Sequence, residues 1–204
     1  MIHSEMKKVI GLVLLVAAVL AYAFIPVDSK KTIVIDAGHG GKDPGVQIEE
    51  LLEKEIVQNI ALKIKEFGES PDCEVVLLRE DDSFMSLADR VARVNALQPD
   101  LMLSLHVNQS DNAAANGIEM YVSKENAFYE ASKREARRLS AEMEKGLLEM
   151  RGIKEANFFV LKNSEAPALL LDMGFLSNSS DKEYITSESG QEQLALLISN
   201  YLRE

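Results

Sequence analysis

Cysteine is nearly absent from this chain of 204 residues, which contains only Cys73. A lone cysteine excludes an internal disulfide and a cysteine-rich zinc site. Cys73 lies in the apolar run CEVVLL, which predicts a buried structural thiol. A chain of this length can build a sizeable core without disulfides, so export from the cell is not excluded.

Positive charge is also scarce, because 22 Lys and Arg stand against 33 Asp and Glu and give a formal net charge of −11. Binding to a nucleic-acid backbone needs clustered positive charge, so we expect no nucleic-acid partner. An uncharged or mixed-charge polymer stays open as a substrate. The simplest interpretation of the acidic excess is a solvated surface.

One long apolar run is present, from Val9 to Ile25, directly after Lys7 and Lys8. Residues 1–25 are therefore predicted to be a targeting segment, either a cleaved signal peptide or an uncleaved membrane anchor. Its 17 residues approach the length of a membrane-spanning helix and favour the anchor. The preceding lysines predict that the rest of the chain faces away from the cytoplasm. Residues 26–31 are predicted to be a linker.

Strand and helix patterns alternate after the linker, which predicts a single α/β domain over residues 32–204. We expect a twisted, mixed and largely parallel sheet with helices on both faces. The predicted strands are Thr32–Asp36, Glu74–Leu78, Leu101–Val107, Gly117–Val122 at an edge, Phe158–Leu161 and Ala168–Asp172. The predicted helices are Leu51–Phe67, Met85–Leu97, Glu125–Met150 and Gln191–Leu202.

Polar side chains stand where three of the predicted strands end. His39 follows the first strand, His106 lies at the end of the third, and Asp172 ends the last. Ligands bind beyond the carboxyl ends of the strands in such sheets, so we expect these residues at one site. The two-residue alternation of a strand places Asn108 on the same face as His106.

A carboxylate interrupts the apolar face of the first predicted helix. Glu53 shares that face with Val57, Ile60 and Ile64, at spacings of four, three and four. A carboxylate aimed at the core is costly unless something pairs with it, and a metal ion would do so. Glu50 is the second choice if the helix begins early.

Two imidazoles and one carboxylate are a common catalytic zinc set, with the fourth position left for water. The candidate ligands are His39, Glu53 and His106. Zinc lowers the pKa of a bound water from 15.7 to about 7 and so makes hydroxide available near neutral pH. No short local signature such as H-E-x-x-H is present, so ordinary turn and strand-end histidines stay open as the alternative.

The same stretches resemble the zinc-dependent N-acetylmuramoyl-L-alanine amidases of the amidase 3 class. Matching motifs occur in the family's order over nearly all of residues 32–204. They are IVIDAGHGGKDPGV (Ile33–Val46), EKEIVQNIALKIKE (Glu53–Glu66), VVLLREDD, SLADRVARVNA, DLMLSLHVNQS (Asp100–Ser110), GIEMYV (Gly117–Val122), NFFVLKN and PALLLDMGFLSN (Pro167–Asn178). The resemblance implies a six-stranded sheet, zinc held by His39, Glu53 and His106, and hydrolysis of the amide that joins N-acetylmuramic acid to L-alanine.

The chain departs from the family pattern at Asp172. The pattern there is approximately P-A-V-L-V-E-x-G-F, and its glutamate is the catalytic acid and base. Aspartate retracts the carboxylate by roughly 1.5 Å, a shift comparable to misplacements that cost about 100-fold in rate. A strand shift or a bridging water would preserve activity, which we expect because all three metal positions are intact. A weak or inactive relative that binds the wall is the alternative.

Four more residues have two interpretations each. Asn108 either binds substrate or caps its strand. Glu119 is either an auxiliary carboxylate or, as we prefer, a structural or solvent-facing residue on an edge strand. Arg79 and Arg90 are expected in structural ion pairs, for example with the Asp81/Asp82 cluster, rather than on substrate carboxylates.

The sequence as a whole predicts a zinc amidase of the cell envelope, periplasmic or extracellular, whose partner is peptidoglycan. It would also contact the membrane if residues 9–25 stay uncleaved. A zinc peptidase on wall peptides and a non-catalytic wall-binding or regulatory module are the rival classes. No wall-binding repeats occur in the sequence, so targeting is expected from the anchor or from a partner protein, and an activator stays open.

Overall fold

A computed structural model describes residues 30–203. The predicted targeting segment (1–25) and most of the predicted linker (26–31) lie outside these described residues. The first strand begins at Lys31, one residue before the predicted start at Thr32. Within residues 30–203, no helix has the length and apolar character needed to cross a membrane.

Between residues 30 and 203, eight strands form a large sheet and a small ribbon. Their bounds are β1 (Lys31–Ala37), β2 (Gln47–Ile48), β3 (Leu51–Leu52), β4 (Cys73–Leu77), β5 (Leu101–Asn108), β6 (Ile118–Val122), β7 (Met150–Glu155) and β8 (Ala168–Phe175). The large sheet has the order β4-β1-β5-β8-β6-β7, and β2 pairs with β3 alone. Strands β4, β1, β5 and β8 are parallel, whereas β6 is antiparallel to β8 and β7 is parallel to β6. The sheet is therefore mixed and largely parallel, as predicted.

In the described part of the chain, six helices cover the two faces of this sheet. They are α1 (Glu53–Gly68), α2 (Leu87–Leu97), α3 (Tyr129–Met143), α4 (Phe159–Asn163), α5 (Ser179–Thr186) and α6 (Glu188–Leu202). Helices α1, α3, α5 and α6 contribute to the larger core on one face, while α2 and α4 cover the smaller core on the other. Strand β5 is central to both cores, since Leu103 and Leu105 point to the first and Met102 to the second. This two-sided burial explains its almost unbroken apolar sequence.

Two predicted elements are wrong. Phe158–Leu161 was expected to be a strand, but it begins the short helix α4. Phe158 and Phe159 are exposed while Val160 and Leu161 are buried, a pattern of pairs that suits a helical turn and not an alternating strand. Gly117–Val122 was expected at an edge, but β6 is flanked by β8 and by β7, a strand that the sequence analysis missed.

A buried carboxylate joins the strand ends that meet near the predicted site. Asp181, near the start of α5, accepts hydrogen bonds from the backbone N–H of Gly117 (2.7 Å) and of Phe175 (2.9 Å). These two groups lie just before β6 and at the end of β8. The contact therefore fixes how β6 and β8 sit together at the carboxyl edge of the parallel strands.

Candidate metal centre and active site

Three side chains that the sequence analysis selected as metal ligands meet at the carboxyl edge of the parallel strands. His39, Glu53 and His106 each offer a donor atom, and these atoms all lie within 4.8 Å of one another. His39 Nε2 is 3.2 Å from one Glu53 carboxylate oxygen, and His106 Nδ1 is 2.8 Å from the other. Glu50, the second choice, is instead exposed in the turn between β2 and β3.

Glu53 is the first residue of α1 and is only 2% exposed. Each carboxylate oxygen also accepts a backbone hydrogen bond, one from Val46 N–H (2.8 Å) and one from Val107 N–H (3.1 Å). Burial alone would raise the pKa of Glu53, but the hydrogen bonds and charges of His106 and His39 hold it well below its usual range. The start of a helix also favours a negative charge. Glu53 is therefore an ionised carboxylate, held in one position, that can serve as a metal ligand.

The backbone turn after β1 aims His39 at Glu53. His39 adopts the left-handed backbone conformation (φ 58°), which costs a non-glycine residue roughly 1–2 kcal/mol and must be held by its surroundings. Its Nδ1 lies 2.9 Å from an Asp43 carboxylate oxygen. Burial lowers the pKa of His39, yet Glu53 and Asp43 outweigh it and raise the pKa above its usual value. Asp43 contacts Nδ1 of His39, so the other ring nitrogen, Nε2, faces Glu53 and can serve as a metal ligand.

Two buried arginines hold the same turn through its carbonyl groups. Arg79 donates to the carbonyls of Ala37 (2.9 Å) and Gly38 (2.8 Å). Arg90 forms a buried ion pair with Asp36 and donates to the carbonyls of Ala37 (2.8 Å) and His39. These bonds replace the regular pairing that the turn backbone lacks and fix the direction of the His39 side chain.

The expected partners of these arginines were partly wrong. Arg90 pairs with Asp36, and Arg79 contacts the Asp81 carbonyl (3.1 Å) rather than a carboxylate of the Asp81/Asp82 cluster. Asp82 instead pairs with Lys54 (2.6 Å). Both arginines are only 3% exposed, so they act within the fold as expected.

Asp172 lies beside His106 in the register of β5 and β8. Asn108 donates an amide hydrogen bond to one Asp172 oxygen (3.2 Å). Burial raises the pKa of Asp172 to about 6, helped by the charges of Glu53 and Glu119 and opposed by those of His106 and Lys154. A carboxyl group with this pKa exchanges protons readily near neutral pH, which is the property of a general acid and base.

Glu119 lies directly opposite Asp172 on β6 and is 3% exposed. One of its carboxylate oxygens accepts from Arg151 Nε (2.7 Å) and Lys154 Nζ (2.6 Å), and the other accepts from the Tyr121 hydroxyl (2.6 Å). Burial opposes ionisation, but these donors lower the pKa of Glu119 to about 2. Glu119 therefore stays ionised and carries no proton near neutral pH. It is structural, yet neither solvent-facing nor on an edge strand.

A pocket of about 240 Å³ opens beside the two histidines. His39 and His106 form part of its wall, and Phe84 and Leu87, which precede and begin α2, contribute exposed apolar side chains. The two candidate imidazole ligands thus face an accessible space, while Glu53 lies buried behind them. The sequence analysis did not select Asp43 and Gly45 as site residues. Their position in the motif that follows His39 was the one feature of the sequence that could have indicated them.

Comparisons with known proteins identify the family. The family profile described as N-acetylmuramoyl-L-alanine amidase matches residues 33–204. The chain belongs to this amidase family. The resemblance noted in the sequence is thereby confirmed.

Relatives of this amidase differ in length. It is 39% identical to the uncharacterized protein YqiI of Bacillus subtilis over 91% of this chain and 89% of YqiI. It is 38% identical to the N-acetylmuramoyl-L-alanine amidase LytC of Bacillus subtilis over 74% of this chain, but it spans only 30% of LytC. The match to LytC therefore concerns one part of a longer protein.

Solved structures of amidases share the fold. An N-acetylmuramoyl-L-alanine amidase from Clostridium difficile 630 matches with a TM-score of 0.80 and 33% identity, over 86% of this chain and 96% of that one. The CwlD amidase from Clostridioides difficile, solved in complex with the GerS lipoprotein, matches with a TM-score of 0.74 and 28% identity, over 85% and 98% of the two chains. The predicted fold class is confirmed.

Gly45→Ala should disrupt the candidate metal centre of this amidase. Gly45 has a φ of 68°, and a Cβ there would lie 2.4 Å from a Glu53 carboxylate oxygen and 2.7 Å from a carbon of the His39 ring. We expect a loss of affinity for Zn²⁺ of about tenfold or more, measured by competition with a chromogenic chelator, together with a lower Tm.

Gly152→Ala is the matched control. Gly152 also has a positive φ (108°), but a Cβ there would meet nothing within 4 Å. We expect it to lower Tm through backbone strain and to leave Zn²⁺ affinity unchanged. Equal Zn²⁺ affinities for Gly45→Ala and wild type would show that the close approach at Gly45 does not position the ligands.

Proposed function

We propose that this chain is a zinc-dependent amidase that hydrolyses the amide between N-acetylmuramic acid and L-alanine of peptidoglycan. Membership of the amidase family supports the reaction. The observation that carries the zinc proposal is the convergence of His39, Glu53 and His106 beside Asp172 at one edge of the sheet. The catalytic unit corresponds to residues 32–204.

The donor set suits a zinc ion. Two imidazole nitrogens and one carboxylate are a frequent catalytic zinc set, and Asp43 supplies the carboxylate that commonly orients such a histidine. Zinc bound to His39, Glu53 and His106 would polarise the substrate carbonyl and lower the pKa of a bound water to about 7.

Asp172 handles the proton in this proposal. It accepts a proton from the attacking water as the new C–O bond forms at the lactyl carbonyl carbon. It then gives that proton to the L-alanine nitrogen as the C–N bond breaks, which leaves a free amine and a carboxylic acid that loses its remaining proton to solvent. Asn108 fixes one Asp172 oxygen, and its second amide hydrogen is proposed to contact the substrate.

The envelope location agrees with the family's cell-wall substrate. We propose that residues 1–25 carry the domain out of the cytoplasm and hold it at the membrane. The support is the apolar run behind two lysines. Mass spectrometry of protein recovered from the envelope tests this point: a mature N-terminus near residue 24 would replace the anchor with a cleaved signal peptide.

Digestion of purified sacculi tests the proposed reaction. We expect new L-alanine amino termini without shortening of the peptides, and we expect EDTA to abolish their release and Zn²⁺ to restore it. Glu53→Gln should lower the rate by more than about 100-fold, because it removes the central anionic donor. Glu55→Gln, on the exposed side of the same helix, should not.

Other outcomes would select the rival classes. Shortened peptides would indicate a zinc peptidase. Zinc-loaded protein that binds sacculi without digesting them, while Asp172→Glu digests them, would indicate a wall-binding module. Lytic activity untouched by EDTA would rule out the zinc scheme.

Asp172→Asn should abolish cleavage and stabilise the metal-free protein. Ionised Asp172 destabilises the native state because its pKa rises from 3.8 to about 6 on folding. The penalty is complete above pH 6, up to about 3 kcal/mol, and vanishes below about pH 4, where the carboxyl is protonated in both states. Thermal melts in EDTA should therefore show a higher Tm for Asp172→Asn above pH 6 and equal values below pH 4.

Asp72→Asn, at an exposed position, is the control and should change neither cleavage nor the pH dependence of Tm. An Asp172→Asn variant that cleaves sacculi at the wild-type rate would remove Asp172 from the proposed chemistry.

A further inference from the structure

Two cationic side chains share the sheet face that carries Asp172. Strand β6 pairs with β8 so that Glu119 lies opposite Asp172, and β7 pairs with β6 so that Lys154 lies opposite Tyr121. Glu119 and Tyr121 are two residues apart and therefore point to the same face. Arg151 and Lys154 both reach Glu119 from β7. The cationic pair thus extends the row of side chains that begins at His106 and Asp172.

The pair is only partly neutralised. Arg151 and Lys154 contribute two positive charges, and Glu119 supplies one negative charge, so the cluster has an excess of one positive charge in a chain of net charge −11. Arg151 uses Nε on Glu119 and Nη1 on the Asn116 carbonyl (3.0 Å). Within residues 30–203 no hydrogen-bond acceptor contacts its Nη2, and its guanidinium lies over the Phe175 ring (5.3 Å). Among the same residues Lys154 Nζ donates a hydrogen bond to Glu119 alone and lies 5.8 Å from the centre of the Tyr121 ring. Both cations therefore still have N–H groups that can donate hydrogen bonds to a ligand.

There is also room for a ligand beside the pair. The side chains of Arg151 and Lys154 are 37% and 44% exposed. Gly152 pairs with Glu119 across β7 and β6, and a Cβ on Gly152 would meet nothing within 4 Å. The space over this part of the sheet is open, although Glu119 beneath it is buried. A fixed buried carboxylate thus holds two accessible cations in place.

We propose that Arg151 and Lys154 bind a free carboxylate of the stem peptide, on the L-alanine side of the cleaved bond. This inference rests on the proposed function for the identity of the polymer. Strand β7 lies two strands from β8, or about 10 Å, which equals the length of about three extended residues. A carboxylate on the second or third residue of the peptide therefore falls within reach of the pair when the cleaved amide lies near Asp172.

Binding of synthetic stem peptides tests this independently of cleavage. Three tetrapeptides with a free L-alanine amine are compared by calorimetry: one unmodified, one with the side carboxylate of the second residue amidated, and one amidated at the third residue. The peptides lack the cleaved amide, so turnover does not interfere. The full chain is used as wild type, Lys154→Gln, Lys154→Arg and Lys65→Gln.

We expect wild type to bind the unmodified peptide about tenfold more tightly than one of the two amidated peptides, because one charge-assisted contact is lost. The peptide that loses affinity identifies which carboxylate is bound. Lys154→Gln should reduce this preference, because only Arg151 then contacts the carboxylate, and Lys154→Arg should keep it in full. Lys65→Gln is the matched control: Lys65 is 38% exposed and paired with Glu80, on a helix at the opposite side of the sheet. It should behave as wild type.

Equal binding of the three peptides by wild type, or no binding at millimolar concentration, would overturn the inference. A preference kept in full by Lys154→Gln would overturn it as well. These outcomes are separate from those for the proposed function, which fails if sacculi release no L-alanine amino termini whatever the peptides do.

Discussion

The buried carboxylate of Glu53 is the constraint on which the site depends. Both oxygens accept backbone hydrogen bonds, from Val46 and Val107, and both face an imidazole. These four contacts come from the segment between β1 and β2 (His39 and Val46) and from the end of β5 (His106 and Val107), so one side chain joins the start of α1 to two other parts of the chain. A buried ion needs all of its partners at once, because an unpaired charge in the interior is very costly.

Asp172 and Glu119 are facing carboxylates whose surroundings shift their pKa values in opposite directions. They lie opposite each other on β8 and β6, yet burial raises the pKa of Asp172 to about 6, while three donors lower that of Glu119 to about 2. One carboxyl group can therefore exchange protons near neutral pH, and the other stays a permanent anion that organises its cations. This separation follows from the number of donors around each group, and it supports the proton-transfer role proposed for Asp172.

Much of this arrangement follows from local sequence patterns. The unbroken apolar run of β5, the apolar stripe that contains Glu53 and the histidines at strand ends all predicted the sheet and the gathering of the ligands. Strand β7 was not predicted, because its sequence MRGIKE is charged, contains glycine and lies half exposed at an edge of the sheet. The position of β6 and the partners of Arg90 were also missed, since the order of strands and long-range ion pairs leave no periodic signal.

The strand order has a consequence for how the chain acquires its shape. Strand β8 lies between β5 and β6 in the sheet, although it is the last strand to be synthesised. Until about residue 175 has emerged, the growing chain has two separate strand groups with unpaired inner edges and lacks Asp172 between them. Long-range closure of this kind is slow. A nascent chain that already carries the three candidate metal ligands thus still lacks the carboxylate proposed to transfer the proton.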